Sequence, residues 1–224
     1  MSVSTASANV KAEARARVYH EVRFSYDPKR AVVWRALCRY LQQFVEPHGS
    51  LLELGAGYGE FSRFIEAAEK HALELNPDMA AHWPSDVQPH IQSALDTLPL
   101  ESESLDAVFA SNFFEHFTIE DGERIVAEAR RVLKPGGRLI CVQPNFRLEP
   151  RRYFDDYTHK QIYTDVSFRD FLEANGLKVI HCEPRFTPFS MKSRFPAAGW
   201  LVSLYLAMPY RPLAGQFWVV AERR

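Results

Sequence analysis

Residues Ser50–Gly59 read SLLELGAGYG, a short apolar run that leads into three glycines spaced two residues apart. The apolar run predicts a buried β-strand, and the glycines allow the positive φ angles of a tight turn after it. Phe61, Phe64 and Ile65 then follow at helical spacing. The segment therefore predicts a strand, a glycine-rich loop and a helix, an arrangement that is typical of nucleotide-type binding sites.

Strands and helices alternate on both sides of this segment. Helices are predicted to begin at Asp27-Pro28, where Pro suits the first helical position, at the capping residue Thr118, and at about Asp165. Apolar runs predict further strands at His71–Leu75, His90–Gln92, Leu105–Ala110, Arg138–Val142, Leu177–His181 and Phe217–Val220. Near-continuous apolar strands are typical of a parallel sheet that is covered on both faces, so we expect an α/β domain.

Composition narrows the class of protein. The chain has 224 residues, which fits one generous domain, and its 27 Lys and Arg balance 28 Asp and Glu. A nucleic-acid-binding domain usually carries a clear basic excess, so no nucleic-acid partner is expected. The three cysteines are far apart and form no C-x-x-C pair, which favours a reducing compartment over a disulfide framework or a zinc site.

No targeting or transmembrane segment is expected. Residues 1–10 lack the apolar core of a secretory signal. The longest apolar stretch, Ala197–Met208, would span about 18 Å as a helix, against about 30 Å for a hydrocarbon core. We therefore predict a cytoplasmic protein with a loose N-terminal leader over residues 1–26 and one domain over residues 27–224.

Acidic residues around the glycine loop limit the choice of ligand. Glu60 stands where a dinucleotide-binding loop needs its third glycine, and no Gly-Lys-Ser/Thr follows, so neither NAD nor a nucleoside triphosphate is favoured. Glu53 precedes the loop, and Glu74 ends the next strand, where a carboxylate can accept hydrogen bonds from a ribose. This pattern suits a ligand with a ribose, an ammonium group and no phosphate, such as S-adenosylmethionine.

Four motifs in order resemble those of the class I S-adenosylmethionine-dependent methyltransferases. They are the glycine loop itself, ALDTLPL with SLDAV at residues 94–108, SNFFEH at residues 111–116, and LKPGGRL at residues 133–139. The resemblance covers residues 50–143 well. It implies a seven-stranded Rossmann-like sheet that is mostly parallel, with the last strand antiparallel and helices on both faces.

The resemblance also implies which residues bind the cofactor S-adenosyl-L-methionine. Four residues would hold the methionine end, and one acidic residue would hold the ribose. Residues after the third strand would lie beside the adenine, and one residue after the fourth strand would line the pocket. Ser93, after the third strand, stands where many relatives have an Asp. In chain order these residues are Glu53, Gly55, Ala56, Gly57, Glu74, Ser93, Ala94, Leu95 and Asn112.

A hydroxyl acceptor must lose a proton when it is methylated, and a His or carboxylate can take that proton. His159 is the first candidate, with Asp155 or Asp156 as its orienting partner, and His116 is the second. Asp155-Asp156 could instead bind Mg²⁺, but no third oxygen ligand lies at suitable spacing, so no metal is predicted. No Asn-Pro-Pro-Tyr follows the fourth strand, which disfavours an enzyme that methylates amino groups of DNA or glutamine.

The C-terminal third contains an aromatic and basic insertion at about residues 184–215. Residues 184–221 contain no Asp or Glu, and their cations are Arg185, Lys192, Arg194 and Arg211. Two interpretations remain open. In the first interpretation, the insertion is a lid helix or a homodimer patch. In the second, it is the entrance for an anionic acceptor, such as a nucleotide sugar or a lipid-linked glycan. The second interpretation is compatible with contact with a membrane surface.

Residues 155–160 and 184–190 are similar to methyltransferases associated with bacterial surface-polysaccharide synthesis. This resemblance favours O-methylation of a sugar or glycan hydroxyl. Three alternatives remain. The first is a methyltransferase that acts on oxygen or carbon of another small or lipid-like molecule. The second is a catalytically silent cofactor-binding partner protein. An NAD reductase is disfavoured, since no Tyr is followed four residues later by Lys.

Overall fold

The computed structural model describes residues 3–188 and 198–224, with side chains from residue 13 onward. Its helices are α1 Val3–Val22, α2 Lys29–Leu41, α3 Glu60–Phe64, α4 Ile119–Val132, α5 Asp165–Ala174 and α6 Gly199–Ala207. Its strands are β1 Ser50–Leu54, β2 Glu69–Glu74, β3 Val87–Ile91, β4 Leu105–Ser111, β5 Leu133–Pro144, β6 Leu177–Glu183 and β7 Gln216–Arg223. Every predicted strand is present, and six of the seven are longer in the structure than predicted, by one to seven residues.

The seven strands form one sheet in the order β3-β2-β1-β4-β5-β7-β6. The pairs from β3 through β5 are parallel, and β7 runs antiparallel to both of its neighbours, β5 and β6. The predicted sheet, mostly parallel with an antiparallel last strand, is confirmed.

Both faces of the sheet are buried under helices. Leu52 and Leu54 of β1 belong to the core cluster that contains the apolar faces of α4 and α5. Leu51, whose side chain points the other way, belongs to a second cluster with residues of α2, α3 and α6. Side chains of a strand alternate between the two faces, so a run such as Leu51-Leu52 places one residue in each core. The prediction of helices on both faces is confirmed.

The predicted helix start at Thr118 has the expected cap, and the helix predicted at about Asp165 has a cap that we did not predict from the sequence. The Thr118 side chain accepts a hydrogen bond from the backbone of Asp121 at the start of α4. At the start of α5, Thr164 and Ser167 form a reciprocal capping box. Each cap satisfies a backbone N–H that the first helical turn leaves without a partner.

The N-terminal leader is the clearest difference from the sequence prediction. We predicted a loose tail over residues 1–26, and the structure has α1 over most of it. The segment is rich in Ala, Glu and Arg, which are good helix formers, but its apolar residues do not follow one helical face. The end of α1 packs on the domain, where the side chain of His20 is buried.

The predicted insertion is partly described. Lys192 and Arg194, which are two of its four cations, lie outside the described residues. α6 follows them and occupies most of the apolar stretch that ends at Met208. No helix in the described part of the chain combines the length and the apolar character needed to cross a bilayer.

The order of the strands determines where a ligand can bind. β1 is followed in the sheet by β2 on one side and by β4 on the other, so the connections from β1 and β4 leave in opposite directions. In open α/β sheets, ligands bind at this switch point, outside the carboxyl ends of the strands. The glycine loop after β1 and residues 112–117 after β4 lie there.

Candidate functional site

A cavity of about 1130 Å³ opens at the carboxyl ends of β1, β2, β4 and β5. Residues after these strands form its floor, while α1, the start of α2 and the loop at residues 152–160 form its sides. Most of the residues predicted to act in the site line this one cavity, namely Glu53, Gly55, Ala56, Gly57, Glu74, Asn112, His116, Asp156 and His159.

The first glycine of the loop is required by its surroundings. Gly55 has a φ of 63°, and a Cβ added to it would lie 2.6 Å from the ring of Phe113. A side chain at this position would therefore meet both an unfavourable backbone conformation and a steric overlap. The bare backbone of Gly55 leaves the cavity floor open between β1 and β4.

The carboxylate of Glu74 anchors the loop. It accepts hydrogen bonds from the backbone N–H groups of Gly57 at 3.0 Å, Leu75 at 2.9 Å and Asn76 at 3.0 Å. An ionised carboxylate has about four acceptor positions, so one remains for a ligand hydroxyl on the cavity side. The predicted contact with a ribose stays a prediction, and the structure adds a second task for Glu74, which is to hold the glycine loop against β2.

Glu53 is a buried carboxylate at the end of β1. It accepts hydrogen bonds from the backbone and the hydroxyl of Ser62, and in the described part of the chain it forms no ion pair. Burial raises its pKa to about 8, because removal from water disfavours the charged form. A ligand ammonium beside Glu53 would supply the missing positive charge. The residues present therefore fit the methionine end of the predicted cofactor.

The residues predicted beside adenine do not reach the cavity. Ala94 is buried in the core under α4, and Leu95 is 40% exposed on the outside. The hydroxyl of Ser93 accepts a hydrogen bond from the backbone of Leu95 at 3.2 Å. Spacing along the chain places this loop after β3 but does not determine which side of the loop faces the ligand. Contact between these residues and adenine stays a prediction.

A chain of hydrogen bonds orients His116. Asp156 Oδ1 accepts from the hydroxyl of Thr158 at 2.5 Å, and Thr158 Oγ1 lies 2.9 Å from His116 Nδ1. In the tautomer with its proton on Nδ1, His116 donates to Thr158 Oγ1, whose own proton goes to Asp156, and Nε2 keeps its lone pair. Burial lowers the pKa of His116 to about 4, so the imidazole is neutral at pH 7.

These hydrogen bonds correct one expectation from the sequence. Asp155 or Asp156 was predicted to orient His159, whereas the structure connects Asp156 through Thr158 to His116. His159 lies beside both groups, with its ring centroid 5.1 Å from that of His116. Its Nδ1 atom is buried without a hydrogen bond in the described structure. Of the two candidate bases, His116 is thus the one whose tautomer the protein determines.

Glu115 is a functional candidate that sequence reasoning missed. Its side chain is completely buried, and its Oε1 atom is 4.0 Å from His116 Nε2 and 3.9 Å from His159 Nε2. Burial raises the pKa of Glu115 to about 8. The only signal in the sequence is an acidic residue in a segment with three phenylalanines, Phe113–Phe117.

α1 and the residues directly after it also line the cavity. The prediction of a loose leader over residues 1–26 did not include this contribution. Tyr19 donates its hydroxyl proton to Asp156 Oδ2 at 2.9 Å, and Arg23 lies 3.6 Å from the same oxygen. Phe24 follows, and the guanidinium of Arg30 lies 3.8 Å from its ring centroid. The end of α1 therefore packs on the loop that carries Asp156.

The basic insertion does not line the cavity in the described structure. Arg185 donates a hydrogen bond to the hydroxyl of Tyr210 at 3.0 Å, and Arg211 forms an ion pair with Glu183 at 2.8 Å. These arginines are therefore engaged elsewhere, and the predicted anionic entrance is not formed by them. The cations that do line the cavity come from other elements, namely Arg15, Arg23, Arg30, Arg152 and Lys160.

Comparison with known proteins agrees with the site. Residues 52–141 match a family described as a methyltransferase domain. The chain is 31% identical over 169 residues to a malonyl-[acyl-carrier protein] O-methyltransferase of Methylococcus capsulatus, covering 68% of this chain and 60% of that protein. It is 28% identical over 174 residues to a ubiquinone/menaquinone biosynthesis C-methyltransferase of Burkholderia mallei, covering 70% of this chain and 71% of that protein.

A solved structure shares the fold. The crystal structure of a SAM-dependent methyltransferase from Archaeoglobus fulgidus is similar with a TM-score of 0.67 and 18% identity, over 92% of this chain and 98% of that chain. The sheet order, the matching domain and the glycine loop with its two carboxylates lead to the same family, and they confirm the cofactor expected from the sequence. Residues 52–141 match a methyltransferase domain, and the fold of the described residues is that of the S-adenosylmethionine-dependent methyltransferases.

Proposed function

We propose that this chain transfers the methyl group of S-adenosylmethionine to an oxygen atom of a small acceptor that enters the cavity beside His116. One observation carries the proposal. A single cavity connects the glycine loop and Glu53 with an imidazole whose neutral tautomer is determined by Thr158 and Asp156. Cofactor-binding groups and a group that can accept a proton are therefore present in one space.

The cofactor end of the cavity uses charge and bare backbone. Glu53 would bind the ammonium group, the backbone of Gly55–Gly57 would lie along the methionine portion, and Glu74 would accept from a ribose hydroxyl. Asn112 lines the cavity after β4, and its Oδ1 accepts a hydrogen bond from Gln216 at 2.6 Å, which fixes the amide. When bound, S-adenosylmethionine supplies a methyl group that its positively charged sulfur has already activated.

The acceptor end has to remove a proton from a hydroxyl. His116 Nε2 carries a lone pair because Nδ1 donates to Thr158. The acceptor's O–H proton would pass to Nε2 as its oxygen gains the methyl group, and general base catalysis of this kind contributes about 10²–10⁴-fold. Asp156 acts through Thr158 as a positioning residue, and its negative charge stabilises the imidazolium that forms.

A sugar or glycan hydroxyl is the acceptor class that we favour. Its support is the similarity of residues 155–160 to methyltransferases of surface-polysaccharide synthesis, and these residues line the acceptor end of the cavity. The cations Arg152 and Lys160 in this region suit an acceptor that also carries a phosphate. The relatives named above act on a malonyl thioester and on quinones, which keeps oxygen or carbon of another small or lipid-like molecule as the alternative.

The proposal is tested by incubating the chain with methyl-labelled S-adenosylmethionine and a panel of acceptors. The panel contains glycans with free hydroxyls, nucleotide sugars, a malonyl thioester and a quinol. We expect transfer to a glycan or nucleotide sugar. Transfer to carbon of the quinol would contradict an oxygen acceptor, and tight cofactor binding without transfer to any acceptor would favour a silent binding protein.

Two variants connect the activity to the site. His116→Gln removes the lone pair, so we expect kcat to fall by about 10²-fold or more while the Kd of the cofactor stays within about twofold. His48→Gln is the matched control, because His48 is exposed in the turn before β1. Equal activities of the two variants would show that His116 is not the base.

A further inference from the structure

Three potential ligand atoms converge at the acceptor end of the cavity. Glu115, His116 and His159 each present one nitrogen or oxygen atom, and these atoms all lie within 4.8 Å of one another. All three residues line the cavity. Two come from the segment after β4, and the third comes from the loop at residues 152–160.

The carboxylate of this cluster has an unused oxygen. Glu115 is fully buried, and its Oε1 atom has no hydrogen bond in the described structure. Its other oxygen accepts from the Gln143 amide in the orientation that satisfies both atoms of that amide. A buried oxygen without a partner is costly, since it loses its contact with water and gains nothing in return. A bound ligand or cation that interacts with Glu115 Oε1 would remove this cost.

The backbone holds the two halves of the cluster together. The carbonyl of Glu115 accepts hydrogen bonds from the N–H groups of Lys160 at 2.8 Å and Gln161 at 3.1 Å. His159, directly before them, has a side chain that is only 5% exposed. The three potential ligands are therefore positioned by regular contacts.

His116 has the supporting contact that a metal-binding histidine usually has. Its Nδ1 atom donates to Thr158 Oγ1, which in turn donates to Asp156. Histidine ligands of metals commonly donate their other ring N–H to such a partner, which fixes the tautomer and the ring orientation. Here the arrangement leaves Nε2 unprotonated on the side of Glu115.

We propose that Glu115, His116 and His159 bind one divalent transition-metal cation, of which Zn²⁺ is the representative. Two imidazoles and a carboxylate suit such a cation better than Mg²⁺ or Ca²⁺, which prefer oxygen ligands. In a tetrahedral site with metal–ligand bonds near 2.1 Å, the ligand atoms are about 3.4 Å apart. The separations of 3.9 and 4.0 Å from Glu115 Oε1 would have to shorten by about 0.5 and 0.6 Å. The third separation, between the two imidazoles, is at most 4.8 Å and would have to shorten by up to about 1.4 Å.

The fourth coordination position of this cation would face the cavity. If the proposed transfer to an oxygen acceptor is right, the acceptor hydroxyl takes this position. With the cation bound, His116 Nε2 is a ligand and no longer accepts the proton, so the cation makes the oxygen nucleophilic in its place. The cation's charge lowers the pKa of the bound hydroxyl, so its proton leaves to water at neutral pH, as it does from zinc-bound water. The oxygen then gains the methyl group. The sequence predicted no metal because it offered only Asp155-Asp156 as oxygen ligands.

The test measures binding of Zn²⁺ alone to the tag-free chain by calorimetry, without cofactor or acceptor. We expect one Zn²⁺ per chain. We expect binding at least about 100-fold weaker in Glu115→Gln and His159→Gln, and about 10–100-fold weaker in Thr158→Val, which keeps the ligands and removes the supporting contact. His48→Gln is the control and should bind like the wild type. Circular dichroism shows whether each variant is folded.

Replacement of Zn²⁺ by Co²⁺ gives a second measurement that does not depend on activity. Visible absorption bands of tetrahedral Co²⁺ should appear in the wild type and be lost in His159→Gln. No binding to the wild type, or binding that His159→Gln and Thr158→Val leave unchanged, would overturn the metal site. Zinc binding without methyl transfer to any acceptor would leave the metal site and contradict the proposed function alone, while transfer by metal-free protein would overturn the cation's proposed catalytic task.

Discussion

The hydroxyl of Tyr19 donates to Asp156 Oδ2 at 2.9 Å, although the two residues are 137 positions apart in the chain. This bond ties α1 to the loop that also carries Thr158 and His159. Burial and the negative charge of Asp156 raise the pKa of Tyr19, so the phenol stays protonated and remains a donor at any physiological pH. α1 forms one side of the cavity, and this hydrogen bond helps to hold it there.

Tyr19→Phe should loosen α1. A hydrogen bond to a charged group contributes about 1.5–3 kcal/mol, and we expect the lower end because the pair is partly exposed. Hydrogen exchange of the backbone amides at residues 15–22 should accelerate by about tenfold. Tyr26→Phe is the control, since Tyr26 is 58% exposed and the substitution retains its ring contacts with Tyr58 and His82. Equal exchange in the two variants would show that the Tyr19 hydroxyl does not hold α1.

Gly55→Ala should abolish cofactor binding. The added Cβ meets the ring of Phe113 and the left-handed backbone costs about 1–2 kcal/mol. Gly136→Ala provides a matched control, because Gly136 also has a positive φ, of 77°, but a Cβ there would meet nothing within 4 Å. We expect Gly136→Ala to lose about 1–2 kcal/mol of unfolding free energy in urea and Gly55→Ala to lose more, because of the overlap with Phe113. Only Gly55→Ala should lose binding in calorimetry. A normal Kd for Gly55→Ala would contradict the proposed position of the cofactor.

Cofactor binding should release a proton at neutral pH. The pKa of Glu53 is about 8 in the ligand-free protein, and a ligand ammonium favours the ionised carboxylate. Below pH 8 the bound state therefore holds fewer protons than the free state, so affinity for S-adenosylhomocysteine should rise between pH 6 and pH 8. Calorimetry in buffers with different ionisation enthalpies measures the released proton directly. Glu53→Gln should bind more weakly and lose the pH dependence, and proton release that persists in this variant would assign it to another group.

The same pKa has a consequence for the ligand-free protein. A carboxyl group with a raised native pKa holds its proton more tightly in the folded state than in the unfolded state. Its contribution to unfolding free energy is complete below about pH 4.5 and is lost as the pH rises towards 8. The melting temperature of the wild type should therefore fall more than that of Glu53→Gln between pH 5 and pH 8. Parallel pH profiles would mean that Glu53 is ionised in the free protein.

Thr158→Val should lower kcat and leave cofactor binding unchanged. The substitution keeps the shape of the side chain but removes the acceptor for His116 Nδ1, so the tautomer with a free Nε2 is no longer selected. We expect kcat for methyl transfer to fall about tenfold or more. Thr97→Val, at an exposed position, is the control. A change in the Kd of S-adenosylmethionine with unaltered kcat would place Thr158 at the cofactor instead.

The sequence allowed the cofactor end to be predicted because its signals are local. The apolar run of β1, the positive φ of Gly55 and the acidic residues at the ends of two strands can all be read within about 25 residues. The seven-stranded sheet with its antiparallel last strand followed from a resemblance that covers those same motifs. The predicted cap at Thr118 depends only on residues up to Asp121, and it is present.

The acceptor end could not be predicted in the same way, because its contacts join distant segments. Glu115 and His159 meet only after β4 and the loop at residues 152–160 come together, and no spacing rule connects them. The helix α1 lacks a one-sided apolar pattern, so its contact with Asp156 left no periodic signal. The orientation of Ala94, which faces the core, depends on a loop conformation that composition does not determine.

A crystal structure of the chain grown with S-adenosylhomocysteine tests the central claim most directly. The account predicts density in the cavity along Gly55–Gly57, with the amino group at Glu53 and the ribose hydroxyls at Glu74. A cavity that stays empty at saturating concentration of the nucleoside, or that instead takes up the pyrophosphate of an added dinucleotide, would contradict the assignment of this site.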